Sequence, residues 1–97
     1  MFEGVYTALV TPFRDDRIDY AALEAIIEAQ VKGGVDGVVP VGTTGESPTL
    51  SFDEHKEYVK RVVALVNKRI RVIAGTGSNS TREAVHLSTA AQEYGVD

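Results

Sequence analysis

Residues 37–50 read GVVPVGTTGESPTL. An apolar, β-branched run ends at Gly42, and two threonines then sit between two glycines. A run without polar alternation suits a strand buried on both faces, as strands of parallel sheets are. The glycines let the backbone turn tightly and approach a ligand. The threonines add two hydroxyls and two backbone N–H groups, a cradle for a small carboxylate, and a hydroxyl that donates and accepts can relay a proton. The competing reading is a loop whose threonines satisfy their own backbone.

The same plan recurs on either side. GVYTALV at 4–10 is another apolar run, stopped by Thr11-Pro12, and IRVIAG at 70–75 is a third. The three runs begin at Gly4, Gly37 and Ile70, in equal steps of 33 residues. Helical patterns fill the gaps. Asp19 offers an N-cap, Ile18 and Leu23 a hydrophobic staple, and Leu23, Ile26, Ile27 and Val31 recur at helical spacing until Gly33-Gly34. Ser51-Phe52-Asp53-Glu54 is a capping box, followed by the stripe Val59, Val62, Val63 and Val66. Ser80-Thr81-Arg82-Glu83 is a second box, with Ala84, Leu87 and Ala91 on one face and Gly95 as the stop. Strands alternating with helices at this spacing predict βαβ crossovers and a parallel sheet, an α/β fold. GVD precedes the second strand at 34–36 and recurs at 95–97, so residues 1–97 read as a single segment that halts at the approach to a fourth strand. The alternative is a small complete module.

Composition narrows the function. The chain has 97 residues, 43% hydrophobic and 25% charged, which suits at most one domain. A net charge of −4 argues against nucleic acid and anionic membranes as partners. The lack of cysteine excludes disulfides and thiolate metal sites and fits a cytoplasmic protein. No run approaches the ~20 apolar residues of a membrane span. No Gly-Lys-[Ser/Thr] follows the 42–47 glycines, and GTGSNS at 75–80 lacks the third glycine of a dinucleotide fingerprint. His55 and His86 lie in predicted helices without a second histidine at ligand spacing, and read as surface or interface residues. No metal and no cofactor are expected. Lys32, Lys56, Lys60 and Lys68 fall within helices or just past them, not at the carboxyl ends of strands where parallel α/β folds bind ligands.

GTTGESPTLSFDEH after an apolar strand, FEGVYTALVTPF before it and RVIAGTGSNSTREA after it resemble, in that order, the pyruvate-dependent class I aldolase family of dihydrodipicolinate synthase and N-acetylneuraminate lyase. The paired threonines look more like the synthase branch. The resemblance implies the first three βα units of a (β/α)8 TIM-type barrel and a homo-oligomer. It also implies condensation of pyruvate with aspartate semialdehyde through a Schiff base, in lysine biosynthesis. By the same carry-over Thr43 is the middle of a proton relay and Thr44 holds the pyruvate carboxylate. Ser47, Pro48, Phe52, His55, Asn79 and Glu83 match an allosteric site for L-lysine, with Phe52 standing where lysine-sensitive relatives carry histidine. The Schiff-base lysine, the relay tyrosines and the arginine for the second substrate match nothing in this chain. The alternatives are another 2-oxo-acid aldolase of the family, lyase-like, and an inactive barrel fragment acting as a folding or assembly unit.

Overall fold

The chain runs β1 (Tyr6–Ala8), β2 (Phe13–Arg14), β3 (Arg17–Ile18), α1 (Tyr20–Lys32), β4 (Gly37–Val39), α2 (Phe52–Val66), β5 (Arg71–Val72) and α3 (Thr81–Tyr94). The computed structural model describes residues 2–42, 50–78 and 80–97. β1, β4 and β5 form a parallel sheet in that order, with Thr7 opposite Val38 and Val38 opposite Val72. Ladder bonds continue past the strand ends: Leu9 N donates to Val39 O at 3.1 Å and Gly75 N to Pro40 O at 3.0 Å. These are the three strands expected from the 33-residue spacing, joined by the expected helices.

Burial separates the two faces of the sheet. Val38 and Val72 are buried in one cluster with Leu23 and Ile27 of α1, Tyr58, Val59, Val62 and Val66 of α2, and Ala91 of α3. Each such side chain withdrawn from water contributes about 1.5–3 kcal/mol. Alternation puts Ala8, Val39 and Ile73 on the opposite face, where Ala8 is exposed and the other two are half-buried. Val10, two residues beyond Ala8 on that face, is 54% exposed. The apolar runs therefore bury fully on the helix side only.

Local signals explain most boundaries. Asp19 accepts from Ala22 N at 3.0 Å at the start of α1. Ser51 accepts from Glu54 N at 3.2 Å, and Glu54 accepts from Ser51 N at 2.9 Å, a complete capping box for α2. The box expected for α3 is only half made. Ser80 Oγ accepts from Glu83 N, but the Glu83 carboxylate takes the Ser78 hydroxyl at 2.7 Å instead of reaching back to Ser80 N. Ser78 Oγ accepts from Ser80 N at 3.2 Å, so a serine two residues upstream replaces the glutamate.

The hairpin of β2 and β3 is an addition to the sequence reading. Phe13 pairs with Ile18 and Arg14 with Arg17. Asp15 and Asp16 both have positive φ, 52° and 63°, which is the two-residue turn that matches strand twist. Aspartate tolerates that region, but the usual Asn-Gly or Asp-Gly signal is missing.

Asp36 ties the three parallel strands together. Its carboxylate accepts from Val5 N at 2.7 Å, its N–H donates to Val5 O at 2.9 Å, and its carbonyl accepts from Arg71 N at 3.0 Å. Gly4 makes the room: with φ at 102°, a Cβ there would lie 1.9 Å from Asp36 Oδ2. The second GVD repeats the device, since Asp97 Oδ2 accepts from Val72 N at 3.1 Å while Asp97 N donates to Val72 O at 2.9 Å. We expect Asp36→Ala to cost about 1–2 kcal/mol, the value of a partly solvated bond to a charged acceptor. Gly4→Ala should cost more, and the double variant less than the sum of the two, because the contacts with Oδ2 and Cγ disappear with the carboxylate while the 2.9 Å approach to the residue 36 Cβ and the positive φ remain. Urea unfolding of the three variants checks this, and strictly additive losses would contradict it.

Candidate functional site

The carboxyl ends of β1, β4 and β5 lead into residues 9–12, 40–42 and 73–78, and α2 reaches all three segments. Thr11, 2% exposed, follows β1. Tyr58, fully buried on α2, directs its hydroxyl to Val10 O at 3.4 Å and hydrogen-bonds the Thr11 side chain. Tyr58 O–H donates to the carbonyl, so the Thr11 hydroxyl donates to the phenol oxygen. Burial pushes the Tyr58 phenol above the ordinary tyrosine value, and the Thr11 bond offsets part of that rise.

One turn earlier on α2, His55 is 5% exposed and its Nε2 meets Gly75 O. A carbonyl only accepts, so Nε2 carries the proton. The expectation of a surface position is corrected here: His55 belongs to the buried stripe of the helix. Spacing explains it, because positions 55, 58, 59, 62 and 66 share one helical face, and all five are buried. His86 is the exposed histidine, with Phe52 edge-on to it at 5.0 Å. The third strand end is held by the Ser88 hydroxyl on Thr76 Oγ1 at 2.9 Å.

The two residues singled out first, Thr43 and Thr44, lie outside the described residues, as do Ser47, Pro48 and Asn79. Of the remaining lysine-site residues, His55 and Glu83 stand near the N-termini of α2 and α3, which pack on each other. Each already has a polar partner, Gly75 O for His55 and Ser78 for Glu83. The four lysines sit as expected, Lys32 in α1, Lys56 and Lys60 in α2, and Lys68 just beyond α2. Lys56 lies over the Phe52 ring at 4.9 Å. Among the described residues there is no group of three metal-ligand side chains, and no helix is long and apolar enough to cross a membrane.

Tyr58 generates a pH prediction. Its folded-state value is raised, so its contribution to stability is complete below the ordinary tyrosine value and is lost as pH rises through the folded one. Tyr58→Phe should remove that alkaline loss while costing about 1–2 kcal/mol at neutral pH, where Thr11 loses an acceptor. Urea midpoints from neutral to strongly alkaline pH check both. Parallel curves for the two proteins would contradict the assignment.

Comparison with known proteins places this arrangement. Residues 1–97 match the dihydrodipicolinate synthetase family. The chain is similar to the 4-hydroxy-tetrahydrodipicolinate synthase of Leptospira biflexa, 59% identical over all 97 residues and 33% of the relative's length. Among solved structures it superposes on the 4-hydroxy-tetrahydrodipicolinate synthase of Methylacidiphilum fumariolicum SolV with a TM-score of 0.97 and 54% identity, covering 100% of this chain and 32% of that one. It also superposes on the chloride-inhibited dihydrodipicolinate synthase of Acinetobacter baumannii, solved with pyruvate, with a TM-score of 0.95 and 45% identity, covering 100% of this chain and 34% of that one. The chain thus spans about one third of the length of the relatives it matches.

Proposed function

The chain belongs to the dihydrodipicolinate synthetase family, and from that membership we propose that it acts as part of a cytoplasmic lyase condensing pyruvate with aspartate semialdehyde in lysine biosynthesis. Its fold is that of the first βα units of the family's TIM-type barrel. The observation that carries the proposal is the family match along the whole chain, together with the GTTG segment directly after β4. In this reading Thr44 binds the pyruvate carboxylate and Thr43 relays a proton. The imine-forming lysine comes from outside these 97 residues, because Lys32, Lys56, Lys60 and Lys68 all belong to helices or follow one. These 97 residues alone are then inactive, and the working enzyme is a homo-oligomer.

The L-lysine site belongs to the same reading, built from Ser47, Pro48, His55, Asn79 and Glu83. Phe52 beside His86 puts an apolar ring where a lysine-sensitive relative has an imidazole, so inhibition by lysine should be weak.

Borohydride trapping tests the chemistry. With pyruvate, the full-length protein should gain one covalent adduct and the 97-residue chain none. No adduct on the full-length protein would overturn the aldolase reading, and an adduct on any of the four lysines would overturn the claim of inactivity. Thr44→Val should weaken pyruvate binding by about 1.5–3 kcal/mol, the value of a bond to a charged group. Thr43→Val should act chiefly on turnover, because a relay group serves the transition state. Steady-state constants showing equal effects of both substitutions on both parameters would exclude the division of roles.

A further inference from the structure

Val41 has φ of 58°, in the left-handed region, and its side chain is 1% exposed. A β-branched residue is an outlier there, because its Cβ crowds the following carbonyl. Such a conformation persists only where its surroundings over-determine it, and here they are specific. Gly75 lies against Val41: a Cβ on Gly75 would sit 2.2 Å from Val41 O and 3.2 Å from Gly42 N. Gly75 N is bonded to Pro40 O at 3.0 Å, so the two backbones cannot separate freely. Gly75 O in turn accepts from His55 Nε2. His55 stands on the first turn of α2, whose start is fixed by the capping box of Ser51 and Glu54. A continuous run of contacts therefore leads from the α2 terminus through His55 and Gly75 to the strained turn at Val41. Residue 43 begins two positions later.

We propose that His55 and Gly75 are positioning residues, which hold Val41 in its left-handed turn and so set the direction in which the chain leaves β4 at Gly42. The role of His55 is then to donate one N–H to one carbonyl. The role of Gly75 is to leave space for the Val41 carbonyl. The proposal rests on the aldolase reading only where activity is the readout, because the turn is also observable by itself.

The test uses His55→Ala, His55→Gln and Gly75→Ala in the full-length protein. Glutamine keeps a donor N–H at comparable reach and alanine does not. His55→Ala and Gly75→Ala should each raise the KM for pyruvate about tenfold, the size expected for losing one good bond at the site. His55→Gln should return most of the way to the unsubstituted value. A merely structural histidine would lower the urea midpoint in both His55 variants alike and leave KM unmoved, and that outcome overturns the proposal. The amide resonances of Gly42 and Gly75, read by selective glycine labelling, supply the independent arm. They should move in His55→Ala and return in His55→Gln whether or not pyruvate is turned over. Unmoved resonances overturn the proposal even in an active enzyme. A missing pyruvate adduct on the unsubstituted protein counts against the aldolase reading alone.

Discussion

The packing of one face of α2 on the parallel sheet is the constraint on which the remaining structure depends. Tyr58, Val59, Val62 and Val66 meet Leu9, Val38, Val41 and Val72 in a single cluster, and α1 adds Leu23 and Ile27 to it. The same face carries two polar side chains at its N-terminal end, and each is held to a strand end rather than to water. An apolar stripe that turns polar in its first two turns brings the carboxyl ends of β1 and β5 under the control of one helix. Cover for the sheet and alignment of its loops are thus tasks of one helix surface.

Much of this was legible in the residues. Hydrophobic runs at equal spacing, Asp19, the Ser51–Glu54 box and the glycines at 33–34 and 95 mark elements because each acts locally, within one turn of its own position. What escaped depends on contacts distant in sequence. His55 looks outward on a stripe that begins at Val59, whereas the buried stripe begins one turn earlier and includes His55 and Tyr58. The hairpin at Phe13–Ile18 escaped because its turn is Asp-Asp. The second capping box failed for a competitive reason, since Ser78 offers Glu83 a nearer partner than Ser80 N does. Nothing in the valine pattern announces that Val41 is left-handed, with its carbonyl packed against a glycine 34 positions away. For the site itself, the Gly-Thr-Thr-Gly arrangement was visible at once. The roles of its two hydroxyls rest on likeness to the family.

Strain at Val41 also bears on rigidity. A turn held by an excess of neighbours does not relax when a ligand arrives, so less ordering has to accompany binding. The exposed face of the sheet shows the opposite economy. Ala8 and Val10 stay open to solvent, and the helices leave that side of β1 uncovered.

The Asp36 and Asp97 carboxylates have a consequence for the order of assembly. Each bonds to a strand amide a short distance back along the chain, 31 residues in one case and 25 in the other. Loop closure over such spans costs little more than over half the length, about 0.6 kcal/mol per doubling. Two of the three strand–helix units, those of β1 and β5, are therefore fastened at the base by the residue that ends their own connection. In those two units the bond that closes the connection is the bond that fastens the strand, so neither base depends on the strand that comes after it.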